Sequence, residues 1–440
     1  MIKKALFLLV LIGISVISKA QELPKEQRMQ WFEDAKLGIF IHWGIYSVQG
    51  TSESWAFYNG HISHKDYMKQ IKGFTAKNWN PDEWAVLIKE SGAKYTVITS
   101  KHHDGVALWD THYGNNNIVH NSPAKRDLIT PFAKAIRKQG IKLGLYYSLI
   151  DWSYPDYPNF TRVKKRYEND SIRFAKFTEY NLGQIKEIGQ FKPDLYWFDG
   201  DWEQSAERWK AKEIRKMILE NNPKAIINSR LQGYGDYSTP EQGVPIHRPK
   251  SKYWELCLTT NDSWGYYPTD TNYKTVNQVI RIFVDCLSKG GNLLLDIGPK
   301  EDGTIPKEQV EILKGLGRWT KKHSEAIYGT RAGIDADYFN GYSTLSPDST
   351  TLFLYLDNHP TGEVLVKGLM NKVKRAYVVG ENKDLNFHIV GKLSWSKAPG
   401  LFYINFPRQL QDQDVSVIAL ELDGPIKLWD LETKAQTNSN

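Results

Sequence analysis

The stretch LYWFDGDW, residues 195–202, is an apolar run that stops abruptly at two carboxylates. A run of this form is typical of a buried parallel strand that ends at a functional face. Two earlier runs also end at polar groups, Leu37–Trp43 at His42 and Tyr95–Lys101 at His102 and His103. In barrels of alternating strands and helices, catalytic residues lie at the C-terminal ends of the strands. We therefore expect the polar groups at these ends to share one site: His42, His102, His103 and Asp199.

Strand-like and helix-like segments alternate from about residue 24 to about residue 328. The further expected strands are Ile141–Ser148, Ala225–Arg230, Tyr253–Thr259 and Asn292–Ile297, and the amphipathic segments include Pro81–Ser91, Leu128–Gln139, Arg166–Ile188 and Val276–Ser288. This alternation indicates a parallel sheet with helices outside. Seven strands are visible and an eighth is not, so we expect an α/β fold, an imperfect (β/α)8-like (TIM) barrel. The alternative is an open doubly wound sheet. The sequence disfavours it, because no Gly-rich dinucleotide-binding motif follows the first strand.

The pattern of polar and apolar residues changes after Tyr328. Turns separate short runs of alternating polarity, which predicts an antiparallel β-sandwich. The expected strands there are Thr351–Leu356, Glu363–Val366, Arg375–Val379, Phe402–Phe406 and Val415–Leu420. The predicted division is thus a catalytic barrel over residues 21–330, a C-terminal sandwich over 331–426, and a polar tail over 427–440.

The first twenty residues have the form of a secretory signal peptide. A basic start at Lys3 and Lys4 precedes an uncharged apolar segment, and small residues at positions 18 and 20 fit a cleavage site. We expect cleavage after Ala20, no membrane span in the mature chain, and a periplasmic or extracellular location. The apolar segment is shorter than the roughly 20 residues that a membrane-spanning helix needs.

Composition excludes several classes of protein. Without residues 1–20 the chain keeps 54 basic residues against 50 acidic, a charge of +4, and no basic cluster suggests nucleic acid. Two cysteines, Cys257 and Cys286, do not make a disulfide scaffold, and we expect two buried free thiols because both lie in apolar stretches. The 15 Trp and 24 Tyr fit either a large core or a sugar-binding surface.

The segment around Asp199 favours sugar chemistry. Strand alternation places Trp197 and Asp199 on the same face, so a carboxylate would lie beside an indole. A glycosidase nucleophile needs such a carboxylate, and the sugar needs an apolar platform. Asp199 could instead cap the following helix, but Asp201 is closer to that helix and fits a cap better.

A metal site is the competing interpretation of the histidines. Imidazoles hydrogen-bond sugar hydroxyls well, but clustered His and Asp also bind zinc in barrel hydrolases. The spacing here is poor, because the chain has no H-x-H, no H-E-x-x-H and no paired Cys. We therefore expect neither a metal nor an organic cofactor.

Six segments together resemble glycoside hydrolase family 29, the α-L-fucosidases. They are KLGIFIHWG (36–44), SKHHDG (100–105), YYSLIDW (146–152), DLYWFDGDW (194–202), WE (254–255) with SWGY (263–266), and GGNLLLDIGPKEDG (290–303). The resemblance covers residues from about 24 to 330 and extends to the C-terminal sandwich. It implies an exo-acting, retaining α-L-fucosidase that needs no cofactor and acts on fucosylated oligosaccharides or glycoconjugates.

The resemblance also implies roles for individual residues. Asp199 matches the family's nucleophile. The residues that match its fucose contacts are His42, Trp55, His102, His103, Tyr147, Trp197, Arg230 and Trp264, with Trp264 under the fucose methyl group. Ser54 precedes Trp55 where many members have Glu, and Glu53 stands one place earlier.

Two glutamates compete for the role of acid/base. Glu241 is expected in a loop after the Arg230 strand, where similar loops supply this group in well-matched relatives. Glu255 is expected on the next strand, beside Trp254. We favour Glu241, because a loop residue can reach the leaving-group oxygen from the solvent side. Glu255 is then a carboxylate that shapes the sugar pocket.

Three functions remain open at this point. The first is the hydrolase, with Asp199 and Glu241 as its catalytic pair. The second is a non-catalytic fucose-binding relative, which the presence of Asp199, Glu241 and Arg230 disfavours. The third is a metal-dependent barrel hydrolase.

Overall fold

The computed structural model describes residues 22–429, with gaps at 159, 162 and 163. The predicted signal peptide over residues 1–20 lies outside the described residues, as does the predicted polar tail from residue 430 onward.

Seven parallel strands form the central sheet of the larger part of the chain. In chain order they are Leu37–Ile41, Tyr95–Lys101, Lys142–Ser148, Leu195–Asp199, Ile226–Ile227, Glu255–Thr259 and Asn292–Ile297. Their spatial order puts Ile226–Ile227 at one edge and Glu255–Thr259 at the other. Almost every position of these strands is buried, because helices cover the outside and side chains fill the inside. That double burial explains why the strands are continuous apolar runs.

An irregular eighth strand joins the two edges of this sheet. The segment 237–241 makes single parallel bridges from Tyr237 to Asn228, from Ser238 to Trp254, and from Glu241 to Cys257. The arrangement is a TIM-like barrel, so the expected fold is confirmed and the open doubly wound sheet is wrong. The eighth strand escaped prediction because it is short and polar and contains Pro240, which has no N–H for the ladder.

Helices surround the barrel, and several follow the predicted bounds closely. The α-helices among the described residues are Lys25–Ala35, Trp55–Tyr58, His64–Lys69, Pro81–Glu90, Ile118–Asn121, Ile129–Lys138, Ser171–Ile188, Ala206–Trp209, Ala211–Asn221, Val276–Ser288, Lys307–Lys322 and Ser324–Ile327. The segment expected from Arg166 begins at Ser171 instead, because the side chain of Asp170 caps its first turn. In the described part of the chain no helix is long and apolar enough to cross a membrane.

The C-terminal part is a sandwich of two antiparallel sheets. The strands of the larger sheet are Arg331–Ala332, Tyr342–Leu345, Thr351–Leu356, Val373–Val378, Lys383–Asp384 and Ser416–Leu422. Those of the smaller sheet are Val364–Lys367, Phe387–Val390 and Leu401–Ile404. A separate apolar core, with Leu354, Val366 and Ile418 at its centre, fills the space between the sheets. A short hairpin of Phe160–Thr161 and Lys164–Lys165 lies apart from both.

Helix Lys307–Lys322 connects the barrel to the sandwich. The Trp319 indole on this helix donates a hydrogen bond of 2.8 Å to the Val415 carbonyl. Arg318 makes two hydrogen bonds of 3.0 Å to the Asp412 carboxylate, which is almost completely buried. The helix is therefore fixed to the sandwich by charge as well as by packing.

Candidate active site

Asp199 is the last residue of the strand Leu195–Asp199, and its side chain enters the mouth of the barrel. Its Oδ1 accepts a hydrogen bond of 2.8 Å from Arg230, and its Oδ2 accepts one of 2.9 Å from the Tyr146 hydroxyl. His103 Nε2 lies 3.6 Å from the same Oδ2. Both carboxylate oxygens are thus held by donors, which fixes the direction in which they point.

The surroundings of Asp199 keep it ionised. Burial by itself would raise the pKa of this carboxyl group. The Arg230 charge, the nearby His103 and the hydrogen bonds from Arg230 and Tyr146 outweigh burial and lower the pKa below its ordinary value. An oriented carboxylate that is anionic at neutral pH has the charge state that a nucleophile requires.

Glu241 lies on the other side of the same guanidinium. Arg230 Nη1 contacts Asp199, and Arg230 Nη2 donates a hydrogen bond of 2.6 Å to Glu241 Oε2. The two carboxylates differ in exposure, since the Glu241 side chain is 41% exposed and that of Asp199 is 11% exposed. The barrel therefore presents one deep and one shallow carboxylate, joined by a single arginine.

His42 and His102 line the pocket, His103 lies beside it near Asp199, and each imidazole is anchored through its Nδ1 atom. His42 Nδ1 lies 2.7 Å from Asp296 Oδ1, while His102 and His103 lie 2.6 Å from the hydroxyls of Ser54 and Ser148. Burial lowers the pKa of His42 to about 3 and that of His103 to about 4, against the attraction of Asp199. Burial also lowers the pKa of His102 well below its ordinary value. All three imidazoles are therefore neutral at pH 7 and can hydrogen-bond hydroxyl groups.

A pocket of about 190 Å³ contains most of the predicted site. It is lined by Phe40, His42, Trp55, His102, Tyr146, Trp197, Asp199, Trp202, Arg230, Glu241 and Trp264. Trp197 lies against Arg230, whose guanidinium carbon is 4.5 Å from the ring centroid, and Trp264 lies against His42 with centroids 4.9 Å apart. Pockets for drug-sized ligands measure roughly 300–1,000 Å³, so this one has room for about one sugar ring.

Tyr147 does not join the other predicted residues. Its hydroxyl lies 2.8 Å from Asn181 Oδ1, 3.0 Å from Gln184 Oε1 and 3.0 Å from Lys101 Nζ. These partners lie outside the pocket, and two of them belong to helix Ser171–Ile188. Successive residues of a strand face opposite sides, and Tyr146 has the inward position. The predicted placement of Tyr147 in the pocket is therefore corrected, and Tyr146 lines the pocket instead.

Glu255 is also absent from the pocket lining. It lies behind Trp197, whose indole donates a hydrogen bond of 3.1 Å to Glu255 Oε1, and the Tyr95 hydroxyl donates one of 2.5 Å to Oε2. Burial raises the pKa of Glu255 to about 7, although these hydrogen bonds oppose the shift. Glu255, expected among the substrate-binding residues as a carboxylate that shapes the sugar pocket, therefore lies outside the pocket and supports Trp197 from behind.

Glu241 lies outside any regular strand, in agreement with the expected loop position. A single bridge to Cys257 holds it at the end of the irregular eighth strand. The residue thus lies near a strand end, like Asp199 and His42. This position explains how a residue outside any regular strand reaches the barrel mouth.

Sequence reasoning missed three residues that line the pocket: Phe40, Tyr146 and Trp202. Alternation could have found Phe40, which stands two places before His42 on the same strand face. Tyr146 lies next to Tyr147 in the sequence, and only the pairing of the strand in the barrel decides which of the two faces the pocket. No pattern indicates Trp202, because it follows the strand on a short 3-10 turn, Asp201–Glu203.

The remaining expectations concern metal and thiols. Among the described residues, no group of three or more His, Cys, Asp and Glu side chains is arranged to hold a metal ion. Cys257 and Cys286 are both buried free thiols, as predicted.

Comparison with known proteins identifies the family. The model of the family described as "Alpha-L-fucosidase" matches residues 16–325. An α-L-fucosidase of Dictyostelium discoideum is 30% identical over 404 residues, which are 83% of this chain and 87% of that protein. The plasma α-L-fucosidase of Homo sapiens is 32% identical over 406 residues, which are 83% of this chain and 85% of that protein.

Solved structures agree with these relatives. α-L-Fucosidase isoenzyme 1 from Paenibacillus thiaminolyticus superimposes with a TM-score of 0.82 at 35% identity, covering 91% of this chain and 99% of that one. A family 29 α-L-fucosidase from Bacteroides thetaiotaomicron superimposes with a TM-score of 0.79 at 27% identity, covering 90% of this chain and 96% of that one. That structure is a trapped covalent intermediate with 2-fluoro-fucosyl fluoride. The chain therefore belongs to the α-L-fucosidase family, glycoside hydrolase family 29.

Proposed function

We propose that this chain is an exo-acting, retaining α-L-fucosidase in which Asp199 is the nucleophile and Glu241 is the acid/base. The observation that carries the assignment is the pair of carboxylates around Arg230. Asp199 is deep, oriented and ionised, whereas Glu241 lies at the mouth of a pocket about as large as one sugar. A pocket of this size favours cleavage of terminal residues.

The reaction takes place in two displacements. Asp199 attacks the anomeric carbon of an α-L-fucosyl group while Glu241 donates a proton to the departing oxygen, and a fucosyl–Asp199 ester forms. Glu241 then removes a proton from water, which attacks the ester, so that the product keeps the α configuration. In the ligand-free geometry Glu241 bonds to Arg230, so proton donation requires its carboxyl group to turn towards the entering glycan.

The walls of the pocket hold the sugar. Neutral imidazoles of His42, His102 and His103 are suited to hydrogen-bond ring hydroxyls, and their anchored Nδ1 atoms limit the rotation of each ring. Trp264 and Phe40 supply apolar surface for the C6 methyl group of fucose. Arg230 keeps Asp199 pointed towards the anomeric carbon.

The test is the activity and stereochemistry of the purified protein. We expect hydrolysis of an aryl α-L-fucoside, with α-fucose as the first product in a time-resolved NMR spectrum. The variant Asp199→Ala should lose nearly all turnover while its circular dichroism is unchanged. Asp384→Ala, which removes an exposed carboxylate of the sandwich, is the matched control and should keep wild-type turnover. First formation of β-fucose would refute the retaining mechanism.

The two competing functions predict different results. A non-catalytic fucose-binding protein would bind fucose but hydrolyse neither aryl nor glycan substrates. A metal-dependent hydrolase would lose activity on exhaustive dialysis against EDTA and regain it with zinc. We expect full activity after EDTA, because the proposed mechanism uses only Asp199 and Glu241.

We also propose export from the cytoplasm, on the support of the basic start, apolar segment and small residues of the first twenty positions. The mature chain should begin at Gln21 and be found in the periplasm or outside the cell. N-terminal sequencing of the natural protein checks this, and a mature chain that begins at Met1 would refute it.

A further inference from the structure

Trp202 is an exposed aromatic residue at the mouth of the catalytic pocket. Of the described residues that line this pocket, two are exposed, and they are Trp202 and Glu241. Trp202 is 51% exposed. Scattered apolar side chains are normal on protein surfaces, so exposure alone carries no argument. The position matters, because Trp202 shares the rim with the proposed proton donor.

The turn that carries Trp202 is fixed on both sides. The Asp201 carbonyl accepts a hydrogen bond of 2.8 Å from the Trp209 indole, and the Asp201 carboxylate accepts one of 2.9 Å from the Gln232 N–H. Glu203 accepts a bond of 3.0 Å from the Trp152 indole. Both neighbours of Trp202 are therefore anchored to well-packed parts of the barrel, while its own side chain faces solvent.

The Trp202 ring also has a defined orientation. It lies nearly parallel to the Trp55 ring, at 16° with 6.4 Å between centroids, and nearly perpendicular to His103, at 86° and 5.9 Å. Trp55 and His103 are both proposed contacts of the fucosyl group. Trp202 and Trp55 thus both line the pocket, with their ring planes nearly parallel.

We propose that Trp202 is the platform for the sugar to which fucose is attached, and that it selects glycan substrates. This inference rests on the proposed function. The pocket has room for about one ring, so the next sugar must lie at the mouth, between Glu241 and Trp202. The apolar C–H face of a pyranose packs on an indole face, and a fixed ring loses little freedom when it does so. The bond that breaks lies next to Glu241, so Trp202 orients the leaving group.

The experiment compares a substrate that has this sugar with one that lacks it. The wild type is first assayed on fucosyl disaccharides with α-1,2, α-1,3, α-1,4 and α-1,6 linkages, and the one that it cleaves fastest is the first substrate. The second substrate is α-L-fucosyl fluoride, which has no second sugar. For Trp202→Ala we expect the ratio of kcat/KM for the disaccharide to that for the fluoride to fall roughly tenfold. Trp202→Phe, which restores an aromatic face, should recover most of the ratio.

Two further measurements make the result specific. Trp395→Ala removes a tryptophan of the sandwich that is 83% exposed, and it should leave the ratio at its wild-type value. With fucosyl fluoride as donor and the leaving-group sugar as acceptor, Trp202→Ala should also give less transfer relative to hydrolysis, because the acceptor occupies the same position.

The outcomes separate this inference from the proposed function. A wild type that cleaves both substrates, with a Trp202→Ala ratio unchanged, overturns the inference alone. Equal losses on both substrates also overturn it, because they indicate that Trp202 supports the fucose pocket or the turn. A wild type inactive on every substrate overturns the proposed function, and the inference with it.

Discussion

At residue 230 a single guanidinium contacts both carboxylates of the proposed reaction. Arg230 holds Asp199 at 2.8 Å and Glu241 at 2.6 Å. The arginine stabilises the Asp199 anion, and its planar fork sets the relative position of the two acids. Glu255, the other candidate acid/base, makes no direct contact of this kind and lies behind Trp197.

The first prediction separates Glu241 from Glu255 by rescue with azide. Glu241→Ala loses proton donation but keeps its nucleophile, so a nitrophenyl fucoside that needs no protonation should still form the ester. Azide should then attack the ester and give α-fucosyl azide, observed by NMR. The loss should be much larger on natural glycans, since general acid catalysis contributes roughly 10²–10⁴-fold.

Glu255→Ala is the matched comparison. It removes the acceptor behind Trp197, so we expect similar losses on both substrates and no rescue by azide. For Asp199→Ala with azide, a single displacement would give β-fucosyl azide instead. If azide rescues Glu255→Ala and has no effect on Glu241→Ala, the two roles must be exchanged.

At the scale of the element, the chain must turn sharply after the strand that carries Asp199. Gly200 has φ of +82°, in the left-handed region that favours glycine. A Cβ at this position would lie 2.5 Å from Ile150 Cγ1, in the loop that follows the neighbouring strand. The absence of a side chain at Gly200 therefore lets two strand ends approach closely enough to form the pocket.

The second prediction uses this close approach. Gly200→Ala combines left-handed strain with a clash, and we expect it to lower the free energy of unfolding by about 3 kcal/mol. It should also lower kcat, because relief of the clash moves Asp199. The measurements are denaturant unfolding and turnover of an aryl fucoside.

Gly140→Ala provides the control. Gly140 has a similar φ of +70°, but a Cβ there would meet nothing within 4 Å. Gly140→Ala should lower the free energy of unfolding by about 1 kcal/mol through backbone strain, and it should leave kcat unchanged. Equal effects of the two substitutions would contradict the role given to Ile150.

At the scale of the whole molecule, charged groups join the barrel to the sandwich. Asp412 of the sandwich accepts hydrogen bonds from Arg318 and Lys322 of the helix Lys307–Lys322. Arg318 also contacts Asp414. Burial by itself would raise the pKa of Asp412, but the hydrogen bonds from these cations and the Asp414 N–H hold it well below its ordinary value.

The third prediction concerns the pH dependence of this junction. A carboxyl group whose pKa is lowered in the folded state stabilises the fold above its unfolded pKa of roughly 3.9, and the stabilisation disappears as pH falls through the folded pKa. At pH 7, Asp412→Asn should lower the free energy of unfolding by about 2 kcal/mol. This figure allows for solvent screening of the ion pair, because the Arg318 side chain is 38% exposed. Below about pH 4 the free energies of unfolding of the variant and the wild type should become more similar, because Asp412 becomes protonated in the unfolded chain.

Denaturant titrations at pH 7 and pH 3 check this expectation. Asp384→Asn removes the charge of a 73% exposed carboxylate paired with Arg375 and should have little effect at either pH. A destabilisation by Asp412→Asn that is equally large at both pH values would assign the effect to packing or to the Asp414 N–H instead of charge.

The sequence by itself determined the barrel and the sandwich, because both depend on patterns that are local in the chain. Strands buried on both sides must be apolar throughout, so Tyr95–Lys101 and Asn292–Ile297 were predicted at their observed bounds. Polar groups directly after such strands must meet at one edge of a parallel sheet, which brought His42, His102 and Asp199 together. The family resemblance added Arg230, Trp264 and the preference for Glu241.

Only the tertiary structure decided which side chains face the pocket and how the barrel closes. Tyr146 and Tyr147 are adjacent and identical in type, and strand pairing selected Tyr146 for the pocket. The eighth strand is held by bridges to two distant segments, and these contacts leave no periodic pattern in Tyr237–Glu241. Trp202 likewise owes its place to anchors at Trp152, Trp209 and Gln232, which lie far apart in sequence or on separate elements. Long-range contacts set these positions, and a local pattern cannot encode them.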